Sequence, residues 1–531
     1  MALLERTKEL TVASALTTRA TLDPQGVFLR SAAGDITFGE VDSSSDAMAA
    51  ALSGLGMEAG DRVAIILPPC PEFVVSLFAL AKLGAVAVPL DPGLRSMEIQ
   101  YMLRHSETVC AVTAERAGDV DYLELFEELA PTLPELQYLV TAGEEDLWYD
   151  DRVFQFEDLL SAGMGRDYAP IDREGAESCF ALVYTAGTTG KPKGVELSHR
   201  SLVAVASGTA EALELSADDR IVGVSALFHV WGLGPGLLSS VVSGASLVLQ
   251  PEPDAATTVS LAEAHRATVH HGVPTLFIEV LEEQERRARD LSALRLAVLA
   301  GAPVEESLLR RVESSLCPTA VAAYSITEAG STVSLARPSD PPTVRYQTVG
   351  RPIPETEVRI VGEDGADLPV ESVGEILVRG PGVMLGYHRQ PGETRRVLDE
   401  EGFLHTGDLG LVDEEGHLHL VGRRKEVIIR SGFNVYPREV ESRVSAHPAV
   451  HEVAVIGVPD PRLGEAICAC VVPEEGAIVT EDEIVRWCRE VLAAHKIPDA
   501  VRFVDAFPRT GTGKIRRVEL ARAVESSSHP A

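Results

Sequence analysis

Lysine is the charged residue this 531-residue chain uses least, with seven at positions 8, 82, 191, 193, 425, 496 and 514 against forty arginines. Positive charge is short overall: 47 Lys and Arg face 80 Asp and Glu, for a net charge of −33. That balance argues against nucleic acid or an anionic membrane surface as partner and favours solubility. No stretch approaches the ~18 consecutive apolar residues of a membrane span, and the N-terminal MALLERTKELTVAS holds no long apolar core. Neither secretion nor a membrane span is expected. The seven cysteines are scattered, odd in number and without a C-x-x-C pair, so neither a zinc site nor a disulfide framework is indicated. A reducing cytoplasm suits them.

What is present is a long chain with 45% apolar and 24% charged residues, ordinary for a globular enzyme. At ~150 residues per domain it should form about three or four folded units. No internal repeat is visible. From residue 30 to about 345, short Val/Ala/Leu-rich strands alternate with amphipathic helices, a layered α/β pattern. Val63–Leu67, Ala85–Pro89, Ile221–Val224, Ser246–Leu249 and Leu296–Ala300 are the clearest strands. From about 349 to 422 the texture turns to Gly- and Pro-punctuated β segments (Glu357–Val361, Gly374–Arg379, His417–Val421), which predicts a smaller β subdomain. After Arg424 an α+β pattern follows, with helices at Arg438–Ala446 and Glu481–His495. Strands are expected near Val453–Val458, Ala466–Val472 and Val501–Val504, with Cys468 and Cys470 facing one side.

The densest local signal is Thr185–Gly194, TAGTTGKPKG. Gly187, Gly190 and Gly194 let the backbone approach a ligand closely. The backbone N–H groups of Thr185, Ala186, Thr188 and Thr189 can form a concavity for anionic oxygen, to which Lys191 and Lys193 add mobile charge. This is chemistry for polyphosphate, and in so acidic a chain it must be local. The apolar flanks Phe180–Tyr184 and Val195–Leu197, with a helix start at Ser198, place the loop between two strands. The Walker pattern G-x-x-x-x-G-K-[ST] is not met, because residue 185 is Thr and Pro192 follows Lys191.

This loop resembles the phosphate loop of the acyl-adenylate-forming enzymes, which include acyl-CoA synthetases, peptide-synthetase adenylation domains and beetle luciferases. Further segments match in order. Tyr324–Glu328 (YSITE) resembles the family's Y-G-x-T-E; the resemblance implies that Tyr324 stacks on adenine, Thr327 binds the α-phosphate and Glu328 holds Mg²⁺. Gly402–Asp408 ends in TGD, implying that Asp408 accepts the ribose hydroxyls, and Arg423 in GRRKE matches an arginine reaching ribose or phosphate. Lys425 occupies the family's hinge position. Ser431, Gly432 and Phe433 resemble the lining of the tunnel through which the thiol of CoA enters. Lys514, in PRTGTGKIRR, matches the lysine that bridges the attacking carboxylate and the α-phosphate.

The same resemblance implies a large N-terminal domain over residues 1–424, carrying layered sheets and helices plus the β subdomain. A small mobile α+β C-terminal domain would span 425–531. Ala226–Gly232 (ALFHVWG) resembles the segment whose His229 gates the carboxylate site, with Val230 beside it. Ala300, Gly301 and Ala302 are expected to face Ala323 and Ser325 across an acyl pocket. Amino-acid-activating members carry an aspartate in the His229 segment for the substrate ammonium; its absence points to an acid without an α-amine. Three departures stand out: Ala323 and Ser325 where glycines are frequent, predicting a shortened or reshaped pocket, and Ala186 for a frequent serine, predicting modestly weaker ATP binding.

The expected reaction joins a carboxylic acid to CoA with ATP and Mg²⁺, by way of acyl-AMP. Two other readings stay open: loading of the acyl group onto the pantetheine arm of an acyl carrier protein, and a non-catalytic nucleotide-binding regulator. Against the first stands the lack of an insertion between Val412 and Asn434. Against the second stands the joint presence of Glu328, Asp408, Arg423 and Lys514.

Overall fold

The computed structural model describes residues 10–118, 120–143, 151–166, 175–185, 192–224, 226–252, 254–509 and 515–527. Two large sheets dominate. Strands Arg62–Ile66, Val86–Pro89, Cys110–Ala114, Tyr138–Ala142, Val153–Gln155 and Cys179–Thr185 pair in parallel. They belong to an eight-stranded sheet that antiparallel Lys193–Ser198 and Gly386–Tyr387 extend at one edge. A second, nine-stranded sheet has a parallel centre of Val27–Ser31, Ser246–Val248, Arg220–Val222, Val269–Gly272, Leu296–Leu299 and Ala320–Ile326. These central strands are mostly apolar and buried, as a parallel sheet covered on both faces requires, with His270 and His271 the exception in Val269–Gly272.

Helix His199–Ala212 touches strands of both sheets, and one apolar core runs through the region. Its start is set by Ser198, whose hydroxyl accepts the Ser201 N–H at 3.0 Å and so partners one of the helix's open donors. Helices Phe38–Gly54 and Pro71–Leu83 pack against each other and join Lys82 to the fold. The Lys82 side chain is 0% exposed; its ammonium sits 2.7 Å from both the Asp42 and the Asp46 carboxylates and donates to the Asp42 carbonyl. One of the few lysines is thus structural.

Four antiparallel strands, Glu357–Val361, Gly374–Arg379, Leu404–Val412 and Leu418–Arg423, form a separate small sheet. A short 3₁₀ turn at Arg424–Glu426 then leads into a five-stranded sheet that starts with Ile428–Arg430. Its long hairpin Val450–Asp460/Gly464–Pro473 pairs with Ala500–Phe503 in parallel. Cys468 and Cys470 share one buried face of that hairpin, packed with Phe507, Leu520 and Val524. The expected helix Glu481–His495 ends at Arg489. Ala493 takes an extended conformation, and Ala494–Lys496 forms a 3₁₀ turn that brings His495 into a stack on Phe433, ring centroids 4.7 Å apart. Among the described residues, no helix is long and apolar enough to cross a membrane.

Candidate active site

The strand pairing Thr185↔Lys193 closes a hairpin whose tip is the glycine-rich loop, so that loop joins two strands and does not open a helix. Ala186, Gly187, Thr188, Thr189, Gly190 and Lys191 lie outside the described residues; Thr185 and Lys193 line a cavity of about 1150 Å³. Gly194 lies in the strand, and a Cβ there would stand 2.8 Å from Leu182 Cδ1. The Lys193 ammonium pairs with Glu393 at 2.8 Å and lies 4.6 Å from the centre of the Tyr387 ring. That cation over an aromatic face is a favourable pairing in a partly buried setting.

Across the cavity, Ala320–Ile326 delivers Ser325 and Ile326 to the wall, and the following 3₁₀ turn adds Thr327 and Glu328. Tyr387 donates its hydroxyl to Glu328 Oε1 at 2.8 Å. This leaves the second carboxylate oxygen of Glu328 without that bond, on a residue lining the cavity. Behind the wall, Tyr324 donates to Asp408 Oδ2 at 2.6 Å, and Arg423 Nε approaches Asp408 Oδ1 at 2.8 Å. Burial first, then the Asp408 charge, pushes the Tyr324 phenol well up, so it stays a donor. The Asp408 charge raises Arg423 in turn. A carboxylate has about four lone-pair positions, so Asp408 retains acceptor capacity beyond these two bonds. Tyr324 and Asp408 stand just behind the lining, while Thr406, Gly407 and Arg423 belong to it.

Six cations, Lys193, Arg396, Arg423, Arg424, Lys425 and Arg509, line the cavity beside seven carboxylates, a more even balance than in the chain as a whole. Lys425 lies in the turn between the small sheet and the C-terminal one, and desolvation, then Arg423, lowers it. Lys514 is outside the described residues. Its neighbours Arg509 and Ile515 pair as an isolated antiparallel bridge, and Arg509 ion-pairs with Glu452 at the cavity. C-terminal helix Pro437–Ser445 is tied to the small sheet by Arg438, which donates to the Leu420 carbonyl at 2.9 Å.

His229, Ala300 and Gly301 line the cavity. Val230 and Ala323 do not: both are buried in the apolar core, Ala323 in a strand across from Leu335. Ala302 is exposed on the turn beyond Gly301, outside the lining. Ser431 and Gly432 form a two-residue hairpin turn, both at positive φ (51° and 82°) with Arg430 opposite Phe433. That turn and the half-exposed Phe433 lie outside the cavity in this arrangement.

The sequence reading missed Tyr387, Glu393 and Glu375. Glu375 accepts the Gly407 N–H at 3.0 Å and pairs with Arg424 at 2.8 Å. Gly386–Tyr387 is a two-residue strand, too short to show an alternating pattern. The nearest signal was the Gly386-Tyr387 pair ahead of Pro391 and Thr394, whose hydroxyl accepts the Tyr387 N–H at 2.9 Å.

The chain belongs to the AMP-binding enzyme family: the family's model matches residues 16–388, and the model of its C-terminal domain matches residues 439–514. It is 35% identical over 506 residues to a feruloyl-CoA synthase from an Amycolatopsis species, covering 95% of this chain and 97% of that one. It is 34% identical over 500 residues to a salicyl-AMP ligase / salicyl-S-ArCP synthetase of Mycobacterium tuberculosis, covering 94% and 87%. The crystal structure of the anthranilate CoA ligase AuaEII with anthranoyl-AMP superposes with a TM-score of 0.90 at 28% identity, covering 99% and 100%.

Proposed function

We propose that this cavity carries out both half-reactions of an AMP-forming acid–thiol ligase. The observation that carries the reading is convergence. Thr185 and Lys193 at the ends of the phosphate loop, Glu328, Arg423 and Arg509, whose bridge partner Ile515 follows Lys514 in sequence, all meet around one cavity. In the first half-reaction a carboxylate oxygen of the acid attacks the α-phosphorus of ATP, the bond to the β-phosphate oxygen breaks, and pyrophosphate leaves. Lys193 and the loop hold the leaving group, Thr327 and Lys514 hold the α-phosphate, and Asp408 with Arg423 holds the ribose. Fixed cations suit this step, because the transition state redistributes charge over phosphate oxygens with little covalent help from protein. Glu328 fits Mg²⁺: it is a hard oxygen donor with one oxygen fixed by Tyr387 and a place in the cavity wall. When bound there, Mg²⁺ would neutralise charge on the phosphate oxygens.

In the second half-reaction the CoA sulfur attacks the acyl carbon, the bond to AMP breaks, and the thiol proton is released. Ser431–Phe433, outside the cavity here, would reach it by rotation of residues 425–531 about Lys425, with residues 1–424 fixed. His229 stands at the carboxylate end, and Ala300 with Gly301 forms the opposite wall. Glu279 and Glu282 line this end and Arg509 opposes only Glu279, so an acid without a second carboxylate fits. The seven cysteines stand as free thiols, which suits the cytoplasm.

ATP–pyrophosphate exchange across a panel of carboxylic acids tests the reading; exchange with none of them would defeat it. CoA thioester should then form. Accumulation of acyl-AMP without thioester would favour a carrier-protein pantetheine as acceptor, the alternative that the salicyl-AMP ligase relative supports.

A further inference from the structure

The deep wall of the cavity's acyl end holds two polar side chains that the reaction does not use. Strand Val269–Gly272 runs into the cavity at Gly272, and successive strand residues point to opposite faces. His270 turns beneath Gly223 and packs on Phe277. His271, on the other face, meets Trp231 with ring centroids 5.5 Å apart. His271 is 0% exposed, and neither ring nitrogen has a hydrogen-bond partner. Trp231 lines the cavity, yet its indole N–H is sealed and also without a partner. Burial lowers His271 to about 3, so the ring is neutral and offers one donor and one acceptor. Nine in ten buried polar groups or more find partners, and each that does not costs ~1–3 kcal/mol. Three such atoms on two touching side chains call for a ligand group.

Local backbone structure says which part can move. Trp231 leads into the π-helix Gly232–Leu238, which contains Pro235; such widened turns recur at functional sites. The Trp231 backbone N–H donates to His229 Nδ1 at 3.3 Å. Gly232 is pinned, because a Cβ there would lie 2.1 Å from the Ala226 carbonyl oxygen. The backbone is held and the indole is left to turn. Charge selects further: Glu279 and Glu282 line this end and only Arg509 opposes Glu279, so the carboxylates outnumber the cation and a neutral group suits this end better than a second anion.

We propose that His271 and the Trp231 indole N–H form a polar terminus of the acyl cavity, which takes a neutral hydrogen-bonding substituent of the acid, a hydroxyl or carbonyl oxygen. The indole turns to uncover the imidazole, and the two side chains donate to and accept from that group. This rests on the reading that the cavity binds the acid.

The test uses matched acids differing only by one distal hydroxyl: benzoate, phenylpropanoate and phenylpropenoate with their 4-hydroxy forms, and hexanoate with 6-hydroxyhexanoate. The readout is kcat/KM in ATP–pyrophosphate exchange. Wild type should favour the hydroxylated member of at least one pair tenfold or more. His271→Leu should bring that ratio within about twofold of one while the unsubstituted acid keeps its rate, and His271→Gln should restore part of the preference. Trp231→Phe, which keeps an aromatic ring without the N–H, should halve the preference or more and covers the case in which His271→Leu does not fold. A wild type that discriminates no pair overturns the inference, as does a preference unchanged in both variants; either would leave an ordered water as the partner of these atoms. Exchange with no acid at all would instead defeat the adenylation reading, and this inference with it.

Discussion

Replacing Tyr387 by Phe removes one oxygen and leaves almost everything around it in place. The hydroxyl donates to Glu328 at 2.8 Å, while the ring lies under the Lys193 ammonium and the backbone pairs with Val195. A hydrogen bond to a charged group contributes about 1.5–3 kcal/mol. Glu328 faces the cavity and can regain a water, so the lower part of that range applies. A loss of about 1.5–2 kcal/mol corresponds to roughly a 10–30-fold fall. Tyr387→Phe should therefore lower kcat/KM for ATP in pyrophosphate exchange by that factor, with the KM for the acid unchanged. Thermal unfolding should stay within about 2 °C, since the packing and strand pairing survive. An effect under twofold would refute the role given to this bond. A parallel rise in the KM for the acid would show that the hydroxyl shapes the whole cavity instead.

Lys514→Ala should abolish exchange yet leave thioester formation from supplied acyl-AMP largely intact; equal loss of both half-reactions would contradict a role confined to adenylation. Lys82→Met should destabilise the protein by about 2–4 kcal/mol in urea titration, because it strips the counter-charge from two carboxylates that are only partly open to water, at 19% and 42%. A change under ~0.5 kcal/mol would show that the carboxylates rehydrate freely. Acid sensitivity follows from the buried histidines. Burial lowers His199 to about 4 and His270 and His271 to about 3, from an ordinary 6.5. Their folded values lie below their unfolded ones, so the unfolded chain binds the extra protons between these limits. Stability is thus complete above pH 6.5 and falls as pH drops toward 4, by up to ~1.4 kcal/mol per unit for each histidine. His271→Leu should reduce that slope by one proton, measured as unfolding midpoint against pH; an unchanged slope would refute the linkage.

The reading from sequence succeeded where local pattern and tertiary environment agree. Phe180–Tyr184 and Val195–Leu197 are apolar runs on either side of a glycine-rich tip, and they pair as a hairpin. Ser198 is a good N-cap and serves as one. It failed where contact is distant in sequence. Nothing near Lys82 announces Asp42 and Asp46, and nothing near Glu328 announces Tyr387. Val230 and Ala323 were placed in the acyl pocket by resemblance to family segments, but neighbours in a helix or strand point in different directions, and these two turn into the core. The helix from Glu481 was drawn too long because residues 490–495 suit a helix by composition, whereas the Phe433–His495 stack needs them in another shape.

Gly386–Tyr387 pairs with the strand that ends the phosphate loop, and its tyrosine touches both Lys193 and Glu328. Two halves of the candidate site therefore share one pivot, delivered from nearly two hundred residues downstream of the loop. A shared pivot makes their occupancy reciprocal: whatever factor a group bound at the phosphate loop adds to affinity at Glu328, a group at Glu328 returns to the loop. Cutting the chain before residue 386 would do more than shorten it. It would bare the edge of the eight-stranded sheet as a template for aggregation and uncouple Lys193 from Glu328 in the same stroke.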